Sequence, residues 1–193
     1  MRVVSFLIVL MCMAAPAMLA QTQKSFPTDD EINLILTQTE RAIQQYKPLI
    51  DQEQVQMGKD GADSAAKDRQ NLDALETALK AFRSKPQAFN GPLGLIFFGM
   101  LDDADRNAVL CGSGASAQAA LQMGAGNTDK AASLLHLAQS CADASTLIYT
   151  VSENAGALYH RYVEAEEQLA VHGAEVAEKC IDILTKNGTP PKK

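Results

Sequence analysis

The fold is decided by residues 28–50, which read TDDEINLILTQTERAIQQYKPLI. Thr28 is a good helix N-cap, and Glu31 completes a Thr-x-x-Glu capping box in a first turn that is otherwise acidic. Apolar residues then recur at steps of three and four, the spacing of one face of a helix. Those residues are Ile32, Ile35, Leu36, Ala42, Ile43, Tyr46, Leu49 and Ile50. The stretch predicts an amphipathic helix that must bury this face against other helices.

Similar patterns fill the rest of the chain, and β-branched alternation typical of strands is missing. Asp102 or Asp103 can cap one further helix, and Thr128 can cap another. The sequence leaves open whether the chain breaks near Ser152, because an unbroken helix there would approach about 85 Å at 1.5 Å per residue. We predict further helices over residues 62–84, 103–121, 129–150 and 153–186. The expected fold is all-α, an antiparallel helical bundle of about five or six helices.

The first twenty residues have the form of a secretory signal peptide. Arg2 precedes an apolar run from Val3 to Met13, and small residues follow as far as Ala20. This run is shorter than the roughly 18 to 20 residues that a membrane-spanning helix needs, and the mature chain has no better candidate. We therefore expect an exported protein, periplasmic or extracellular. The predicted organisation is a signal peptide (1–20), a flexible lead (21–27), a single helical-bundle domain (28–187) and a disordered tail (188–193).

The chain is acidic, which argues against one class of partner. It has 23 Asp and Glu residues against 17 Lys and Arg residues, and a formal net charge of −6. Proteins that bind nucleic acid present basic patches that neutralise phosphates, and no such patch is visible beyond the two terminal lysines. We therefore expect no nucleic-acid partner.

Cysteine positions predict one disulfide. An oxidising compartment favours disulfides, and the domain contains Cys111, Cys141 and Cys180. Position 126, in a glycine-rich turn, lies midway between the first two, so an antiparallel hairpin folded there brings Cys111 beside Cys141. Cys180 is then left over, either as a core residue of the last helix, as an intermolecular disulfide or as a reactive thiol.

Two motifs suggest chemistry, but their contexts argue against it. Gly112-x-Gly114-x-x-Ala117 is close to a dinucleotide-binding fingerprint, yet that fingerprint needs a strand-to-helix turn in a parallel sheet. Small residues at a helix crossing explain it better. Asp103-x-Asp105-x-Asn107 resembles the start of a calcium loop but lacks the later glycine and acid. With no catalytic constellation to assign, we expect a protein that is not an enzyme and has no cofactor.

The most apolar part of the domain is the run 93–101, LGLIFFGML. Buried, it would fill the bundle core or form a short hairpin; exposed, it would be an interaction patch for a protein or a hydrophobic ligand. The candidate patch residues are Leu95, Ile96, Phe97, Phe98 and Met100.

The leading hypothesis is a non-enzymatic exported protein that binds a protein or other partner through a helix face or through residues 93–101. The alternative is a carrier of a small hydrophobic ligand or metal with a cavity between helices. Such a cavity would be lined by Met57, Phe98, Met100 and Met123. The sequence does not identify the partner or the oligomeric state.

Overall fold

The computed structural model describes residues 25–187, which are helical almost throughout and contain no strand. The all-α prediction is therefore confirmed for this part of the chain. The signal peptide, residues 21–24 of the lead and the tail 188–193 lie outside the described residues. Residues 25–187 contain four α-helices rather than five or six, with a short 3-10 turn (Pro86–Phe89) between the second and third. They are α1 (Asp29–Met57), α2 (Lys59–Ser84), α3 (Pro92–Gly124) and α4 (Thr128–Asn187).

The third helix is longer than the sequence predicted. Residues 93–101 do not form a hairpin but the first turns of α3, and Phe97 and Leu101 among them lie in the core. The predicted cap at Asp102 or Asp103 is wrong, since both residues lie inside this helix and pair with Arg106 at N–O distances of 3.0 and 3.6 Å. Neither glycine nor proline occurs between Met100 and Arg106, so the helix has no local reason to end there.

The fourth helix joins two helices that were predicted separately. It has no break at Ser152, which is buried, and residues 128–155 contain neither glycine nor proline. Thr128 is its first residue rather than its cap, and Asn127 precedes it. Buried Ile148, Val151 and Ala155 continue one helical face past the expected break, which explains why the helix persists.

The chain forms two compact units, of which the larger comprises Pro27–Tyr159. The described part of the other unit consists of residues 25–26 and 160–187. There the rings of Phe26 and Tyr162 lie 6.0 Å apart. The boundary between the two units falls inside α4.

Within the larger unit, α1 and α2 run antiparallel from the turn at Gly58. Ion pairs join them at successive levels, Lys47 to Glu76 at 2.7 Å and Glu40 to Arg83 at 3.4 Å. The predicted capping box at the start of α1 is present, with the Thr28 amide donating to the Glu31 carboxylate at 2.9 Å. All eight residues of the predicted apolar face of α1 are buried.

Among residues 25–187, no helix has both the length and the apolar character required to cross a bilayer.

Candidate functional site

The structure divides the predicted patch into a buried part and an exposed part. Phe97 is completely buried, whereas Leu95 and Ile96 are 53% and 56% exposed. Phe98 and Met100 are half-buried. Leu93, which was not among the patch residues, is 54% exposed. We call Leu93, Leu95 and Ile96 the α3 apolar surface.

Phe97 anchors this surface to the core. Its ring meets those of Phe82 and Phe89 edge-on, with centroid distances of 5.4 and 6.0 Å. Such edge-to-face pairs add stability beyond the burial of their area. Because Phe97, Leu101 and Ala104 are buried at steps of four and three, the core face of α3 was readable in the sequence. That spacing places Leu95 and Ile96 away from the core face, whereas Leu93, four residues before Phe97, is exposed in the first turn of the helix.

Phe98, the next residue of α3, is held by a close contact with α4. A Cβ atom placed on Gly156 of α4 would lie 3.0 Å from the ring of Phe98. Two residues after Phe98, the carbonyl of Met100 accepts a hydrogen bond from the Asn71 side chain of α2 at 3.3 Å. The start of α3 is therefore fixed on both sides, and the α3 apolar surface is presented by rigid backbone.

The predicted disulfide between Cys111 and Cys141 is present and joins α3 to α4. Both cysteines are fully buried. The two helices run antiparallel, since Ser145 donates to Asp105 at 2.6 Å on one side of the bridge and Gly126 turns the chain on the other. Gly126 has a φ of 78°, a conformation that favours glycine. Cys180 is half-exposed and outside this disulfide.

The glycines after Cys111 serve helix packing. Gly112 and Gly114 lie in the middle of α3, where no strand-to-helix turn could hold a phosphate. A Cβ atom on Gly112 would lie 3.2 Å from the carbonyl oxygen of Ala138, and one on Gly114 would lie 2.9 Å from the Met57 methyl group. The interpretation as small residues at a helix crossing fits these contacts.

The calcium-loop resemblance also falls within α3. Asp103 pairs with Arg106, Asp105 accepts from Ser145, and Asn107 is buried. The three side chains therefore point in different directions from a regular helix. In the described part of the chain, no group of three or more His, Cys, Asp or Glu side chains is arranged to hold a metal ion.

The residues proposed to line a carrier cavity lie apart. Met57 packs at the end of α1, Phe98 and Met100 lie near the start of α3, and Met123 is 58% exposed near its end. Two surface grooves have volumes of about 580 Å³ and 540 Å³. The first runs between α1 and α2 beside the Glu40–Arg83 ion pair, and the second between α3 and α4. Neither groove is lined by those four residues.

A buried group of ionisable side chains between α1 and α2 was missed by the sequence reasoning. We call Tyr46, Glu53 and Asp68 the acid cluster; each is at most 2% exposed. The Tyr46 hydroxyl donates to Asp68 Oδ2, and Ser64 forms a hydrogen bond with Glu53. The second carboxylate oxygen of Glu53, Oε2, is buried without a hydrogen-bond partner.

The environment of the acid cluster favours its uncharged forms. Burial raises the pKa of Glu53, and the nearby Asp68 raises it further, while the Ser64 hydrogen bond opposes this. Burial likewise raises the pKa of Asp68 against the opposing effects of Tyr46 and Lys67. Burial and the hydrogen bond to Asp68 also raise the pKa of Tyr46.

A signal for the acid cluster was present in the spacing. Glu53 continues the three- and four-residue steps of Tyr46, Leu49 and Ile50, and Asp68 lies three residues after buried Ala65. Both carboxylates therefore occupy core positions of their helices.

No protein-family model matches this chain, and no curated protein or solved structure matches it either.

Proposed function

We propose that this protein is a non-enzymatic, exported helical protein that binds a partner protein through the α3 apolar surface. The observation that carries the proposal is the exposure of Leu93, Leu95 and Ile96 within one stretch of four residues, each more than half exposed. Large aliphatic side chains grouped in this way on a protein surface are typical of interaction sites.

The backbone beneath the surface supports a binding role. Phe97 is held in the aromatic cluster with Phe82 and Phe89, so the exposed residues that precede it in the helix have a fixed direction. A preorganised surface loses little conformational entropy when a partner binds. An exposed helix face of this kind fits an apolar groove or another helix on the partner.

Export is supported by two features. The disulfide between Cys111 and Cys141 fits an oxidising compartment. The run from Val3 to Met13 has the form of a signal peptide in the sequence.

Site-specific photo-crosslinking in the producing cell tests the proposal. A photoreactive residue at Ile96 should give a defined adduct, identified by mass spectrometry of the exported fraction. The matched control is the same residue at Val55 on α1, which is 82% exposed. A second variant, Leu95→Asp, should abolish the Ile96 adduct without changing the thermal unfolding midpoint.

Two results would contradict the proposal. One is an Ile96 adduct no stronger or more specific than that at Val55. The other is an adduct that persists in the Leu95→Asp variant. A ligand mass lost on denaturation, seen by native mass spectrometry of the exported protein, would instead favour the carrier alternative.

A further inference from the structure

The acid cluster joins α1 to α2 at a level near the turn between them. Glu53 is five residues before Gly58, and Asp68 lies ten residues after it. A Cβ atom on Gly61 would lie 2.7 Å from the Glu53 carbonyl oxygen, so the two helices are in close contact here. Two carboxyl groups are thus enclosed at a tight helix crossing.

Few charged groups act on Glu53 and Asp68 to offset their negative charges. From α2, Lys67 acts on Asp68, and Ser64 supplies a neutral hydrogen bond to Glu53. From α1, Tyr46 donates to Asp68. From α3, Gly114, which has no charge, lies close to Met57 at this end of α1. Within the described residues, α4 supplies no charged group that acts on either carboxyl.

The unpartnered oxygen of Glu53 indicates that the neutral acid suits the site better than the carboxylate does. As a carboxylate, Glu53 would bury a negative charge with one oxygen lacking any donor, close to a second acid. As a neutral acid, it loses the charge and can still accept the Ser64 hydrogen bond. Asp68 tolerates ionisation better, because the Tyr46 hydroxyl stabilises its charged form.

We propose that the acid cluster is a pH-dependent device, in which a proton held mainly on Glu53 keeps the crossing of α1 and α2 closed and loss of that proton loosens it. The proton enters from and returns to solvent. With both carboxyls ionised, like charges in one buried place repel each other, and water must enter to solvate them.

The direction of the pH effect follows from linkage. Each carboxyl has a higher pKa in the folded protein than in the unfolded chain, where the value is about 4. The folded state therefore holds protons that the unfolded state has released. This contribution to stability is complete below the unfolded pKa and is lost as the pH rises through the folded pKa. The protein should become less stable from about pH 4 upwards.

The test is the thermal unfolding midpoint, Tm, of the full mature protein between pH 4.5 and 8.5. Wild-type Tm should fall with rising pH, by about 4 °C for each unit by which folding raises the pKa of the acid cluster. Glu53→Gln should flatten the slope and raise Tm at pH 8. The matched control is Glu153→Gln, an exposed acid on α4 that should keep the wild-type slope.

Two further variants keep the proposal testable if Glu53→Gln does not fold. Asp68→Asn removes the other carboxyl and should also flatten the slope. Tyr46→Phe has the opposite expectation: it removes the donor that favours ionised Asp68, so the slope should become steeper. Opposite effects of these variants would not arise from a merely structural role for the buried groups.

Hydrogen exchange measured by mass spectrometry locates the change. After correction for intrinsic exchange rates, protection of residues 50–57 and 61–68 should decrease as the pH rises in wild type but not in Glu53→Gln. A wild-type Tm that is flat or rises over this pH range would overturn the proposal, as would a Glu53→Gln slope equal to that of wild type.

Discussion

Reducing the disulfide between Cys111 and Cys141 should lower the free energy of unfolding substantially, because the bridge closes a long loop in the unfolded chain. The two cysteines are 30 residues apart. The loop-closure relation gives a stabilisation of about 3.6 kcal/mol at 25 °C for a loop of that length. For a chain of this size, the corresponding decrease in Tm is about 10 °C.

The assay is urea unfolding of oxidised and reduced protein in a Cys180→Ser background, so that only one pair of thiols changes state. Reduction keeps both side chains in the core, whereas a Cys111→Ala, Cys141→Ala double variant removes two fully buried sulfur atoms as well. The double variant should therefore be less stable than the reduced protein. That difference separates the effect of the covalent bond from the effect of packing.

This loss of stability arises only if the unfolded chain gains conformational freedom when the bridge opens. If oxidised and reduced proteins unfold within about 1 kcal/mol of each other, the loop-closure estimate fails for this hairpin. The contacts of α3 and α4, such as Asp105 with Ser145, would then restrict the reduced chain almost as well as the disulfide does.

Two glycines in α3 should respond in opposite ways to alanine. Gly94→Ala should cost about 3 kcal/mol, because its Cβ atom would lie 2.0 Å from the Phe89 carbonyl oxygen; Gly99→Ala meets no atom within 4 Å and should stabilise the protein by about 0.7 kcal/mol through helix propensity. Equal effects in thermal unfolding would refute this contrast. Thr28→Ala should cost about 1 kcal/mol by removing the acceptor for the Glu31 amide, and an unchanged Tm would contradict the role of the capping box.

Local sequence signals were sufficient where the structure depends on nearby residues. The start of α1 was predictable because Thr28 and Glu31 satisfy each other's backbone amides across one turn. The disulfide was predictable because a glycine turn fixes the register of two antiparallel helices. In the capping box the interacting residues are close along the chain, and in the disulfide they are brought together by a single antiparallel helical hairpin.

Helix boundaries were less predictable, because they depend on what the helix packs against. Asp102 and Asp103 are good capping residues, yet they lie within α3, where Arg106 pairs with both. Residues 93–101 looked uniformly apolar, and only the partners of Phe97 on α2 and in the 3-10 turn decide which of them face the core. The spacing of Phe97 and Leu101 indicated which face of α3 is buried, but the contacts of Phe97 with Phe82 and Phe89 determine it.

The acid cluster was missed for a different reason. Asp and Glu are rarely fully buried unless paired, so sequence reasoning treats an acidic residue as part of a solvated face. The steps of three and four that run through Glu53 and Asp68 were a better guide than their residue type. A polar residue at a core position of a helix is a sign of function or conditional stability.

Two pairs of helices within Pro27–Tyr159 are thus held by different chemistry. The pairing of α3 with α4 is covalent, through buried Cys111 and Cys141, and responds to reductants. The proposed control of α1 against α2 responds to protons. Phe82, which contacts the anchor of the α3 apolar surface, lies 14 residues along α2 from Asp68, about 21 Å at the rise of a helix. Asn71, only three residues after Asp68, donates to the Met100 carbonyl near the start of α3, so loosening of α2 at the acid cluster has a shorter route to the α3 apolar surface.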